Sequence, residues 1–330
     1  FLRSYPYVGR ALAFNRQRFL DIGGFDADFG ELAPHDALWR LVEADGDAAV
    51  GHVADLLLES QFPLGHWLTS SAVIEQNPRV VHAHLQRCGI AHQIRQGHQA
   101  LLNRIDYRHD DRPRVSIIVS HRNQLAALQR CFETLLERTA YAHYELLIVD
   151  NASDSPDALA WLNELAGMGG DKVRVLFCEQ QSSVTHLRNL AARHARGDYL
   201  LMLNPYTVIT QGDWLDELLI HAQRPEVGVV SGKLFDPNGA IVHAGMILGL
   251  QNAAATPFYG ESLDAPGYMQ RLQVVQDLSA VGPDCLMVRT SVFEQAGMLD
   301  AEAFADTFSE VDLCLRVREL GYRVVWTPYA

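Results

Sequence analysis

The feature that most narrows the fold is an alternation that begins at Val115, where short apolar runs trade places with segments whose apolar residues recur at helical spacing. Val115 to Val119, Glu145 to Val149, Val173 to Phe177, Tyr199 to Leu203 and Val227 to Val230 read as strands. Between them, Gln124 to Arg138 sets Leu125, Leu128, Phe132, Leu135 and Leu136 on one stripe, and Pro156 is placed to open a second helix. Val184 to Ala195 reads as a third helix, with Gly197 suited to a left-handed cap, and Trp214 to Gln223 as a fourth. A strand followed by a helix returns the chain to the edge it left, so successive strands lie parallel. The pattern therefore predicts an α/β fold: a Rossmann-like, mostly parallel sheet with helices on both faces. Beyond Val230 Gly and Pro become denser and the helical period fades until Ser291, which predicts hairpins and a long loop.

Upstream, Arg108-His-Asp-Asp-Arg-Pro113 reads as a charged, proline-ended linker, and residues 66–105 as helices rich in His and Gln. The first 60 residues carry an internal repeat. Phe19-Leu-Asp-Ile-Gly-Gly-Phe-Asp26 is similar to Phe293-Glu-Gln-Ala-Gly-Met-Leu-Asp300, and Asp36-Ala-Leu-Trp-Arg40-Leu-Val-Glu43 to Asp312-Leu-Cys-Leu-Arg316-Val-Arg-Glu319. Two blocks recur in the same order. The expected organisation is a C-terminal remnant of a first domain over residues 1–60, a helical segment and linker over 61–112, and a nearly complete copy over 113–330.

With 330 residues, 48% of them hydrophobic, the chain can bury a sizeable core. It carries 27 basic against 40 acidic residues, a formal charge of -13, and this opposes any broad grip on a phosphate backbone, so no nucleic-acid partner is expected. Cys88, Cys131, Cys178, Cys285 and Cys314 are scattered singly, without metal-ligand spacing, and read as reduced, buried thiols of a cytoplasmic protein. No run approaches the ~18 consecutive apolar residues that a membrane-spanning helix needs.

Open α/β sheets bind ligands in the loops beyond their carboxyl strand ends. Here those loops are Ser120-His-Arg-Asn123, Asp150-Asn151 and Asn204-Pro-Tyr-Thr207. A carboxylate at Asp150 can accept hydrogen bonds from a base or a ribose hydroxyl, and Arg122 can stack on a base or meet a phosphate. A helix cap by Asp150 or Ser153 is the competing reading. Trp214 and Trp326 read as core.

The runs Val115-Ser-Ile-Ile-Val-Ser-His-Arg-Asn123, Leu147-Ile-Val-Asp-Asn-Ala-Ser153, Ala195-Arg-Gly-Asp-Tyr-Leu-Leu-Met-Leu-Asn204, Ile241-Val-His-Ala-Gly245, Glu310-Val-Asp-Leu-Cys-Leu-Arg316 and Gly321-Tyr-Arg-Val-Val-Trp-Thr-Pro328 resemble the successive motifs of family 2 glycosyltransferases. The likeness is strongest to bacterial multi-domain members, rhamnosyltransferase-like, that build surface polysaccharides. It implies a GT-A fold and inverting transfer from a nucleoside-diphosphate sugar to a glycan or lipid-linked glycan acceptor, in the cytoplasm at the inner face of the membrane. It also implies Mg²⁺ or Mn²⁺ on the diphosphate and a further transferase domain in the same chain. Ser120, Arg122, Asp150 and Asn151 would hold the nucleotide, the Asn204 loop would be the metal motif, and Glu310 or Asp312 would be the base, with Asp36 their counterpart in the first copy.

Three places depart from that family pattern. Asn204-Pro205-Tyr206 lacks the carboxylate that would bind the metal, Gly282-Pro283-Asp284 replaces a Thr-Gly-Ala type of sequence, and Ser309-Glu310 replaces a Glu-Asp pair. Two readings follow. In one the enzyme works without the standard metal site, with His243, Arg188 or Asp284 acting on the diphosphate; in the other the domain is a non-catalytic, nucleotide- or glycan-binding pseudo-transferase. For each replacement a plain role competes: a hairpin hydrogen bond for His243, a solvated charge for Arg188, an ion pair with Arg316 for Asp312, and a favourable charge at a helix start for Glu310. A nucleotidyltransferase would need a glycine-rich, lysine-bearing phosphate loop near the first strand, and none is present.

Overall fold

The apolar runs form strands where the alternation places them, and in the computed structural model they join into one eight-stranded sheet. The structure describes residues 1–53, 55, 59–168 and 170–330. The strands are β1 (Val115–His121), β2 (Tyr144–Asp150), β3 (Val173–Phe177), β4 (Tyr199–Leu203), β5 (Val227–Ser231), β6 (Gln276–Leu278), β7 (Cys285–Arg289) and β8 (Arg323–Trp326). Their spatial order is β6-β8-β5-β7-β4-β1-β2-β3. Parallel pairing runs through β4, β1, β2 and β3 and joins β5 to β8, whereas β7 and β6 pair antiparallel with their neighbours. The sheet is thus mixed and mostly parallel.

Strand alternation divides the apolar residues between two faces. Val115, Ile117 and Val119 of β1 pack with Leu128, Cys131 and Leu135 of α1 (Leu125–Arg138), Leu162 of α2 (Pro156–Met168) and Trp214 and Leu218 of α4 (Trp214–Ala222). On the opposite face lie α3 (Val184–His194), α5 (Thr290–Gln295) and α6 (Ser309–Glu319). The approach there is close at Gly228 of β5, where a Cβ would stand 2.5 Å from Val317 and 3.3 Å from Val292. The glycine lets α6 settle against the strand.

Glu145, fully buried, ties three strands together at the amino-terminal edge of the sheet. It accepts from Ser116 Oγ at 2.6 Å, from the Arg196 backbone N–H at 2.7 Å and from Arg174 at 3.1 Å, while the Gly197 N–H donates to the same Ser116 hydroxyl at 2.9 Å. Burial alone would raise its pKa, but the donors from Ser116, Arg196 and Arg174 outweigh that and hold the carboxyl below its ordinary value. Gly197 has a different role from the expected helix cap. Helix α3 ends at Ala195 in extended backbone, and a Cβ at Gly197 would stand 2.6 Å from the Ser116 nitrogen, so the absent side chain permits backbone contact with β1.

These elements belong to a larger unit, His109–Ala265 with Val275–Ala330. The smaller unit comprises Phe1–Arg108 with Pro266–Val274, and its core gathers Leu32, Trp39, Trp67, Val73, Val80, Leu102 and Val274. Helices Arg16–Asp21, Ala33–Asp45, Leu64–Leu68 and Ser71–Arg87 precede an antiparallel hairpin, His92–Gln96 with Asn103–Tyr107. The hairpin replaces the helix expected there; Asn103, Ile105 and Tyr107 alternate inward, a period of two that the His and Gln content obscured.

The two repeat blocks share a hydrogen-bond pattern. In the smaller unit Gly23 and Gly24 N–H return to the Leu20 and Phe19 carbonyls, and Arg40, held by Asp36, donates to the Ile22 and Gly24 carbonyls. In the larger unit Gly297 and Met298 N–H return to Glu294 and Phe293, and Arg316, held by Asp312, donates to Ala296 and Met298. Donors and acceptors correspond in the register of the sequence alignment. Of the cysteines, Cys131, Cys285 and Cys314 are buried as expected, whereas Cys178 is half-buried and Cys88 exposed.

Replacing Glu145 with Ala leaves the buried Ser116 hydroxyl without its acceptor and the half-buried Arg174 without this counter-charge, and should cost about 3–5 kcal/mol in urea unfolding. Because the folded pKa is depressed, the carboxylate's contribution is present above the unfolded pKa and is lost as pH falls through the folded one. The difference in unfolding free energy between parent and variant should therefore shrink below about pH 4.5.

Candidate functional site

Parallel pairing brings the carboxyl ends of β1, β2, β3 and β4 to one edge, and β7 begins there because Cys285 pairs with Leu203. The loops at Ser120–Asn123, Asp150–Asn151, Asn204–Thr207 and Gly282–Asp284 therefore share that edge. Ser120, half-buried, pairs with Val149, and His121 pairs with Asp150.

Asp150 is 2% exposed. Its carboxylate accepts from the Ser153 N–H at 3.1 Å and from the Ser153 hydroxyl, so it shapes the turn into α2 from below the surface. His121 Nε2 lies 3.4 Å from Asp150 Oδ1, and neither ring nitrogen of this buried histidine has a hydrogen-bond partner among the described residues. Burial lowers its pKa, with Asp150 opposing. Sequence reasoning quoted His121 only as part of a loop; its signal was a titratable residue ending an apolar strand. The Asn151 side chain exchanges two hydrogen bonds with the Ser182 backbone, and Arg122, half-exposed, donates to Asp154 at 3.2 Å.

The second half of the edge is one connected polar network. Asn204 donates through Nδ2 to Asp284 Oδ1 at 2.7 Å and through its backbone to the Asp284 carbonyl at 3.1 Å, while its Oδ1 accepts from the Tyr206 N–H at 2.9 Å. Arg188 donates to the Pro283 carbonyl at 3.2 Å and forms an ion pair with Glu310. The Gly282 N–H meets His243 Nε2 at 3.4 Å, and the Ser231 hydroxyl lies 3.3 Å from the same atom. His243 is thus a buried hairpin histidine, with a pKa lowered to about 4 by burial despite Asp284. Arg188, expected as a possible solvated charge, is 7% exposed; burial lowers its pKa, with Glu310 and Asp284 opposing.

Helix α3 reaches further than the sequence indicated. Thr185, Arg188 and Asn189 fall on one side of it. Thr185 Oγ1 donates to the Phe304 carbonyl at 2.9 Å, and Asn189 exchanges hydrogen bonds with the Leu299 backbone at 2.7 and 3.1 Å. The three residues fasten the segment that leads into α6. Their spacing on a polar stripe was the missed signal. Glu310 is 3% exposed on the first turn of α6, whereas Asp312 points its carboxylate at Arg316 at 2.6 Å.

A hard dication requires several oxygen ligands. Asn204 spends its amide on Asp284 and its oxygen on Tyr206, Tyr206 is 65% exposed, and Pro205 offers no side-chain ligand. Among the described residues, Asp284 is the one carboxylate hydrogen-bonded to the loop, so the residues present do not fit a divalent cation. Among the described residues, the one trio within common ligating reach is Glu43, His84 and Cys88 of the smaller unit, where Arg87 already binds Glu43 at 2.7 Å. Asp36 lies in that unit too, buried and held by Arg40 and Arg87.

Residues 116–297 match the family described as Glycosyl transferase family 2. The chain belongs to that family. An uncharacterized protein, y4gI, of Sinorhizobium fredii is 32% identical over 100% of the chain and 37% of its own length. The O-antigen biosynthesis protein RfbC of Myxococcus xanthus is 31% identical over 99% of the chain and 25% of its own length. The chain therefore spans roughly a third and a quarter of these two relatives. The crystal structure of GalNAc-T7 with UDP, GalNAc and Mn²⁺ aligns with a TM-score of 0.55 at 14% identity, covering 68% of this chain and 44% of that one, and identifies the fold as the GT-A type of glycosyltransferases. Among the described residues no helix is long and apolar enough to cross a membrane.

Replacing Arg188 with Met leaves Glu310 buried without its cation and should cost about 3–5 kcal/mol of stability in denaturant titration. Adding Glu310→Gln in the same chain should recover most of that loss. An additive double variant would mean that the two side chains do not depend on each other.

Proposed function

We propose that the chain is part of a glycosyltransferase that moves a sugar from a nucleoside-diphosphate donor onto a surface glycan or lipid-linked glycan, with inversion, at the inner face of the membrane. The observation that carries this reading is the convergence of Arg122, Asp150, Asn151 and Asn204 on one sheet edge of a family 2 fold. The nucleoside would lie over the ends of β1 and β2, where Arg122 is accessible and where Asp150 and Asn151 fix the loops beneath it. The O-antigen relative supports a polysaccharide product.

Inversion requires the acceptor hydroxyl to attack opposite the departing diphosphate while a base takes its proton. Glu310 is the better base, because Arg188 occupies one carboxylate oxygen and leaves the other, whereas Asp312 is committed to Arg316. The counterpart of that pair, Asp36 with Arg40, supports a structural role for both. The same correspondence supports reading residues 1–60 as the C-terminal part of a first transferase domain. No step here is assigned to a metal.

A second reading is favoured by the Asn204–Asp284 bond and the Arg188–Glu310 pair, which engage the groups a diphosphate and an acceptor would need. In it, the larger unit is a non-catalytic member of the longer protein.

Titrating the chain with nucleoside-diphosphate sugars while following both binding and free diphosphate tests the two. Catalysis by this unit predicts diphosphate release that Glu310→Gln abolishes with binding intact; full turnover by that variant would exclude Glu310 as base. Binding without release would assign the larger unit the second role.

A further inference from the structure

The three sequence departures are physically one structure. Asn204, from the loop that lacks its carboxylate, is bonded to Asp284, from the segment Gly282-Pro283-Asp284. That segment is bonded through the Pro283 carbonyl to Arg188, and Arg188 to Glu310. We propose that this closed network takes the place of the metal and diphosphate contacts, so that the edge binds a nucleotide through its nucleoside alone. The inference rests on the reading that this edge receives a nucleotide, and takes its non-catalytic branch.

Distance and charge both support it. Adjacent strands lie ~4.8 Å apart, so the end of β2 and the start of β7 are three steps, ~14 Å, from each other. A nucleoside seated over β1 and β2 therefore projects its phosphates across β4 towards Asn204 and Asp284. The anion finds no unspent cation in the network. Arg188 is neutralised by Glu310, and Asp284 adds a negative charge. His243, behind Gly282, stays neutral at physiological pH. Lys233, just beyond β5, is buried too, with its ammonium 3.4 Å from the Leu263 carbonyl and over the Trp326 ring. A like charge facing a phosphate costs affinity, and the neighbouring Asn204 amide, with one N–H spent on Asp284, has only its second, uncharged N–H to set against it. Asp284 would thus hold Asn204 in place of a metal-bound diphosphate and repel the latter.

Calorimetric titration of the whole chain with the monophosphate, diphosphate and diphosphate-sugar forms of uridine, guanosine and thymidine tests this, each with Mn²⁺ and with chelator. For whichever base binds, the three forms should agree within about threefold, with no effect of Mn²⁺. In Asp284→Asn, which keeps an acceptor for Asn204, the diphosphate should gain about tenfold over the monophosphate. A parent chain that binds the diphosphate at least tenfold tighter than the monophosphate, or tighter with Mn²⁺, overturns the inference and leaves the donor-site reading standing. An Asp284→Asn chain with unchanged preference overturns the assigned role of Asp284. Failure of every nucleotide to bind removes the donor-site reading itself.

Discussion

The geometry of this protein hangs on a carboxylate deep inside it. Glu145 sits at the end of the sheet away from the candidate site, where the interior offers no water to solvate a charge. It is tolerated because β1, β3 and the turn before β4 each supply a donor. A one-residue slip of any of these strands would break the set and turn its side chains to the wrong face. The node therefore fixes register at one end, and with it which loops face one another at the other.

From that constraint the edge assembles in order. Register puts His121 beside Asp150 and Leu203 beside Cys285, and the loops that follow meet because their strands do. Helix α3 then acts as a second fixture. Its polar stripe fastens the segment before α6, so Glu310 is held by Arg188 rather than by the sheet. Gly228 allows that approach, since any side chain there would push α6 away from β5.

Strands and helices of the larger unit were legible because each apolar run or stripe advertises its own period, although only β1–β2 and β2–β3 are neighbours both in sequence and in the sheet. The edge loops were legible for the same reason. What escaped was polar and non-local. The periodicity of α3 showed a helix, but it could not show that Arg188 faces inward, because its partner Glu310 is 122 residues away. The hairpin at 92–107 was hidden because, of its strand residues, only Asn103, Ile105 and Tyr107 are buried, and most of the others are charged or amide side chains. Gly197 fitted a cap by position, yet its contact is with Ser116, a partner on another strand. The partnership of Asn204 with Asp284 likewise required the antiparallel insertion of β7, which no local pattern announces.

The arginine that clasps two carbonyls at the end of a short helix has a consequence for how such chains age. Its hydrogen bonds are satisfied wholly within one helix, one turn and the next helix, so it needs nothing from a substrate and loses nothing when neighbouring chemistry disappears. The same clasp stands at Asp36 and Arg40, where the residue two positions before the aspartate is Pro34 and not a glutamate. Selection for foldability alone can preserve such a signature, and a search keyed to it will recover ancestry more faithfully than catalysis.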